Sequence, residues 1–127
     1  MLETAKAFST FSVDDTAAAK KFYADTLGLK VEDGPMGLTL KTAGNEVFIY
    51  QKDDHTPASF TVLNFPVADL DATVQQLKDK GVEFEHYDSG MVRTDEKGIA
   101  RGKASGDGPD IAWFKDTAGN VLSVLSE

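Results

Sequence analysis

The chain has 127 residues, 41% hydrophobic and 27% charged, with a formal net charge of −8 and no cysteine. That size and composition predict one soluble domain, 1–127, and the acidic balance argues against nucleic acid and anionic membrane partners, which are held by clustered Lys and Arg. The absence of cysteine excludes disulfides and thiolate chemistry; no apolar run reaches the roughly 18–20 residues that span a bilayer, and the opening MLETAKAFSTF lacks the apolar core of a secretory leader, so a cytoplasmic protein is expected.

Taken in chain order, TAKAFSTFSV (4–13) alternates with a period of two and predicts a strand, with Phe8, Thr10 and Ser12 on one face. Asp14, Asp15 and Thr16 offer N-caps for a helix through AAAKKFYADTLG, in which Ala18, Phe22 and Leu27 share a face and Gly28 is the stop. Strands follow at LKVE (29–32), MGLTLKT (36–42) and EVFIYQK (46–52). A polar loop, DDHTPAS (53–59), leads to a second series. It holds a strand FTVLNFPV (60–67), a helix capped by Asp69 with Leu70, Val74 and Leu77 on one face, and a stop at Gly81. A strand VEFEHY (82–87), a long polar stretch, and strands DIAWFKD (110–116) and NVLSVLSE (120–127) complete the chain.

Each half therefore reads β-α-β-β-β, an α+β class, and the four letters T-A-G-N occur at 42–45 and again at 117–120. Asp69 follows Asp15 by 54 positions and Gly81 follows Gly28 by 53, whereas Gly119 follows Gly44 by 75. Two modules in register are implied, one about 1–55 and one about 56–127. The second carries an insertion near 88–109, pliable with glycine and bearing Arg93, Lys97, Arg101 and Lys103. It reads either as a pocket rim whose local positive charge would attract an anion, or as a solvated hairpin extension.

FSVDDTAAAKKFYADTLGLKV, with Val13, Asp15, Phe22-Tyr23 and Leu27-Gly28-Leu29, resembles the opening of the vicinal oxygen chelate superfamily, which groups glyoxalase I, bleomycin-resistance proteins and extradiol dioxygenases. WFKDTAGNVLSVLSE resembles its closing turn and last strand, with Thr117 where the family carries Pro, and FTVLNFPVADLDA resembles the start of its second module. The resemblance implies two βαβββ modules forming curled mixed sheets around a shared cavity, and a homodimer. In metal-dependent members a divalent cation is held by His or Gln early in each module and by Glu on the last strand. Counting from Asp15, Asp69 and the turn glycines places Phe8, Val62, Ser123 and Phe48 at those positions. None of these supplies the hard or borderline donors a divalent ion needs, so no metal and no cofactor is expected. The two imidazoles do not replace them: His55 reads as part of a solvated loop beside Asp53 and Asp54, and His86 as a half-buried structural residue that Glu85 or Asp88 could pair with.

Strand parity then names a cavity lining: Phe8, Thr10, Phe48, Tyr50, Val62, Asn64, Trp113 and Ser123, with Phe114 turned to the helical side. Aromatic walls with a few hydroxyls and amides suit a small apolar or aromatic ligand, and binding without a metal is the first functional expectation. The rival is a metal-independent lyase or isomerase with His86, Tyr50 or Tyr87 as acid–base group. A third reading is a structural or regulatory dimer with a closed pocket.

Overall fold

The computed structural model describes residues 1–88 and 90–127; Ser89, in the insertion, lies outside the described residues. The chain divides into two compact units, Met1–Pro57 and Ala58–Glu127. Among the described residues no helix is long and apolar enough to cross a membrane.

The first unit runs β1 (Ser9–Val13), α1 (Thr16–Lys21), β2 (Lys30–Gly34), β3 (Gly37–Lys41) and β4 (Glu46–Gln51). Asp15 caps α1, its carboxylate accepting the Ala17 and Ala18 N–H groups at 2.9 and 3.2 Å. Past Lys21 the helix widens into a π turn over Phe22–Thr26, with the Leu27 N–H on the Phe22 carbonyl at 3.0 Å. Tyr23, four residues on from buried Ala19, lies in the core, fully buried and edge-on to Phe22 at 5.3 Å between centroids. The face counted through Ala18 had pointed to Phe22 as the buried ring; it is only half-buried.

The sheet order is β1-β4-β3-β2, with β1 and β4 parallel and the other pairs antiparallel. Val13, Leu38, Leu40, Val47 and Ile49 are buried on the face where α1 packs against β3 and β4. The opposite face carries Thr10 beside Phe48 and Thr39 in one row and Ser12 beside Tyr50 in the next.

The second unit runs β5 (Thr61–Val67), α2 (Leu70–Asp79), β6 (Ile99–Arg101), α3 (Gly102–Ser105), β7 (Asp110–Lys115) and β8 (Val121–Ser126), in sheet order β5-β8-β7-β6. Asp69 caps α2 through the Ala72 N–H at 3.0 Å, and Leu70 and Val74 are buried.

The strand predicted at VEFEHY does not form. Val82 and Phe84 are buried as their alternation suggested, but only Phe84 bridges to Phe114, and the Glu85 N–H reaches the Trp113 carbonyl at 2.8 Å. β7 offers a single outer edge, and this short segment takes its Trp113–Phe114 end. The insertion takes the remainder, since β6 pairs Ile99 with Ala112 and Arg101 with Asp110. The insertion thus supplies a strand of the sheet.

The two T-A-G-N corners are held differently. At the second, Asp116 is buried; one carboxylate oxygen accepts the Ala118 and Asn120 N–H groups at 2.9 Å each, and the other accepts the Asn120 amide at 3.0 Å. At the first, Lys41 occupies the position of Asp116, and the Thr42 hydroxyl bridges the backbone of exposed Asn45 instead.

Candidate functional site in the second unit

The face of the second sheet opposite α2 is built by register. Asn64, Ser123 and Trp113 stand in one row across β5, β8 and β7. Leu125, Ile111 and Ala100 stand in another. On the far face Phe114 is fully buried, edge-on to Phe84 at 5.5 Å. Trp113 therefore points away from the helix, as the parity of DIAWFKD required.

Polar atoms on this row are already engaged. The Ser123 hydroxyl, fully buried, donates to the Asn64 carboxamide oxygen. The Trp113 indole N–H donates to the Thr61 hydroxyl at 3.1 Å. Thr61 holds that position because the register of β5 against β8 slips between Thr61 and Leu63, a bulge that leaves Val62 without a partner. Counting residues back from Asp69 had named Val62 as the one sharing a face with Asn64. The bulge breaks the alternation and brings Thr61 there instead.

Two hollows flank Trp113. A cleft of roughly 680 Å³ is lined by Trp113, Ile111, Ala100, Val92, Met91 and Arg93, with Asp107 and Pro109 toward its other end. A smaller hollow of roughly 280 Å³ is lined by Trp113, Tyr87, Val92, Thr61, Val121 and Phe60. Trp113 and Val92 are common to both walls. Tyr87 meets the indole edge-on at 5.6 Å. Its backbone N–H is held by the Thr94 hydroxyl at 2.8 Å, and its carbonyl accepts the Thr94 N–H at 2.7 Å. This clamp at the base of the insertion returns the chain so that Val92 lines both hollows with Trp113.

The insertion is anchored electrostatically. The Arg101 guanidinium makes a bidentate pair with Asp71 on α2, both bonds at 2.9 Å, and its Nε donates to Asp95 at 3.0 Å. Lys97 adds a bond to Asp71 at 3.2 Å. Arg101, then Lys97, hold the Asp71 carboxyl well below the usual carboxylate range. Burial pushes Asp95 up, but the Ile99 N–H, Arg101 and the Lys97 N–H outweigh it and hold it below its ordinary value.

The remaining expected site residues fall as follows. In the first unit Thr10 and Phe48 are direct partners and Tyr50 neighbours Ser12, while Phe8 precedes β1 and is 64% exposed. His55 is half-buried rather than solvated; its Nδ1 lies 2.7 Å from the Ser12 hydroxyl, which pins the polar loop to β1. His86 is exposed rather than half-buried, and Glu85 pairs with Lys115 at 3.2 Å instead. Val92, Met91 and Ile111 were missed. The available signal was the pair Met91-Val92, adjacent apolar side chains in a stretch otherwise rich in glycine and charge.

The side chains present do not fit a divalent ion. The expected ligand positions carry Phe8, Phe48 and Ser123 together with the bulged Val62, and the neutral donors nearby, Asn64, Ser123 and Thr61, are bonded within the fold. Among the described residues no group of three His, Cys, Asp or Glu side chains is placed to hold a metal.

Comparison with known proteins agrees with this architecture. A search of curated proteins returns no match. Among solved structures the chain is similar to a member of the glyoxalase/bleomycin resistance protein/dioxygenase superfamily from Sphaerobacter thermophilus, at 22% identity and TM-score 0.68 with both chains fully covered. It is similar to an antibiotic-binding protein from Streptomyces sp. CB03234, at 22% identity and TM-score 0.62, over 97% of each chain. A fosfomycin resistance protein from Listeria monocytogenes matches at 14% identity and TM-score 0.68, over 95% of this chain and 91% of the other. At these identities the likenesses show the fold. The family profile is the stronger finding: it matches residues 7–124, and the chain belongs to the glyoxalase/bleomycin resistance protein/dioxygenase superfamily.

Proposed function

We propose that the protein binds a small apolar or aromatic molecule on the open face of its second sheet, without a metal. The observation that carries this is Trp113, a large half-buried ring forming a common wall of two hollows. A flat ligand can lie against the indole and displace poorly held water from the side chains of Val92 and Ile111. Orientation falls to a few polar groups at the rim. The antibiotic-binding Streptomyces protein supplies a precedent for antibiotic binding on this fold.

Two observations favour binding over acid–base catalysis. His86 is part of neither hollow's lining, and Arg101 and Asp95 in the cleft neutralise each other, which leaves Tyr87 as the acid–base candidate that lines a hollow. The test uses the single tryptophan of the chain as a reporter. Aromatic and aliphatic compounds of drug size are titrated with and without a chelator, following Trp113 emission and the melting temperature. Saturable quenching that survives chelation is expected. Binding that vanishes with chelation and returns with a divalent ion would sink the metal-free reading, and a flat response to every compound would sink binding itself.

A further inference from the structure

The insertion carries four cations, and their fates differ. Lys97 and Arg101 are tied to Asp71, and Lys103 donates to the main-chain oxygen of Glu127 at 3.3 Å. Arg93 lines the cleft and has no ion pair or hydrogen bond among the described residues. It follows Val92, which lines both hollows with Trp113, and precedes Thr94, which clamps Tyr87. The backbone of Arg93 is thereby held near the Trp113 end of the cleft. The cleft's other charge without a partner among the described residues, Asp107, lies in the turn between α3 and β7. By register that turn adjoins Asp110 and Arg101, beyond Ile111. Between the two ends the floor is apolar: Trp113, Ile111 and Ala100.

We infer that the ligand is an amphipathic anion, a flat apolar body that lies along Trp113 and Ile111 with a carboxylate, sulfonate or phosphonate held by Arg93. Arg93 is exposed, and its planar guanidinium offers paired donors matched to such oxyanions. The chain's net charge of −8 disfavours anions in general. A guanidinium with no partner among the described residues, beside an apolar stretch of the cleft floor, is therefore a local device rather than a bulk effect. The inference rests on the binding site proposed above and narrows what it accepts.

The test compares two dyes of the same ring system, anilinonaphthalene sulfonate and its uncharged parent phenylnaphthylamine, titrated into the full chain by fluorescence. The sulfonate is expected to bind about tenfold more tightly than the neutral dye at low salt, with the difference shrinking as salt rises. Arg93→Gln should remove that preference by lowering the sulfonate's affinity to about that of the neutral dye. Lys103→Gln, an equal loss of charge outside the cleft, should leave both affinities unchanged. Circular dichroism of each variant confirms that the fold is retained. Equal binding of the two dyes, an Arg93→Gln protein that still prefers the sulfonate, or equal losses in both variants would overturn the role of Arg93 while leaving the binding site standing. Failure of wild type to bind either dye would remove the site and the inference together.

Discussion

The indole N–H of Trp113 on β7 reaches over β8 and donates to the Thr61 hydroxyl on β5 at 3.1 Å, where a bulge places Thr61. This bond orients the ring that walls both hollows. Thr61→Val keeps the shape of the side chain and removes the acceptor. We expect a loss of about 1 kcal/mol in unfolding free energy and weaker binding of aromatic ligands, with Thr61→Ser close to wild type. Urea titration followed by Trp113 emission measures the first and dye titration the second. An unchanged affinity in Thr61→Val would show that the ring needs no such anchor.

Asp116 gathers three donors at the second T-A-G-N corner while buried. Asp116→Ala strands the Ala118 and Asn120 N–H groups and should cost roughly 2–4 kcal/mol, whereas Lys41→Ala, at the matching place in the first corner, should cost much less. Chemical denaturation of the two variants separates them, and similar losses would refute the asymmetry.

The Arg101 network predicts an acid response of known sign. Asp71 and Asp95 have folded-state carboxyls depressed below their unfolded values. Their stabilisation is therefore complete above about pH 4 and is lost as pH falls through the depressed values. The groups are partly exposed, so the network is worth roughly 1 kcal/mol after solvent screening. Arg101→Met leaves three carboxylates facing one another, since Asp110 also lies within 3.6 Å of the guanidinium. In that variant mild acid should relieve repulsion, so the protection factor of the Ile99 amide, corrected for the intrinsic pH dependence of exchange, should rise between neutral pH and pH about 4, where wild type shows no such rise. The same rise in both proteins would argue against the network as its source.

Gly102 opens α3 against the turn that closes the far end of the cleft. A Cβ there would meet the Pro109 carbonyl oxygen at 2.5 Å and that of Gly108 at 3.0 Å, whereas one on Gly44 would meet nothing within 4 Å. Gly102→Ala should lower stability by about 1–3 kcal/mol and alter ligand affinity, while Gly44→Ala should be near neutral in both. Thermal melts paired with ligand titration decide the matter. A neutral Gly102→Ala would mean the turn moves aside freely.

What could be read from residues alone was what depends on local alternation. Thr10 beside Phe48, Ser12 beside Tyr50, and Asn64 with Ser123 and Trp113 follow from the pleat, because each strand's period is set by its own backbone. The errors share a form. The buried face of the helix runs through Ala19 and Tyr23 rather than Ala18 and Phe22, and Thr61 replaces Val62 because a bulge adds a residue to one strand. Each is a single-residue offset that counting cannot detect. The pairing of His55 with Ser12 and the placing of Val92 in the hollows that Trp113 walls join segments distant in sequence. No periodicity within either segment records such a meeting.

The strand supplied by the insertion has a consequence for how the sheet meets the solvent. β6 is three residues long, lies on the outside of the sheet and carries Arg101, whose charge faces Asp71, Asp95 and Asp110. Short and charged borders of this kind discourage one molecule's sheet from extending into another's. Excising 95–105 to recover a minimal repeat would bare the β7 border, whose Ile111 and Ala112 offer apolar side chains beside unpaired backbone groups. The shortened chain would then be prone to stacking into aggregates, so the added segment is a guard that the sheet has come to depend on.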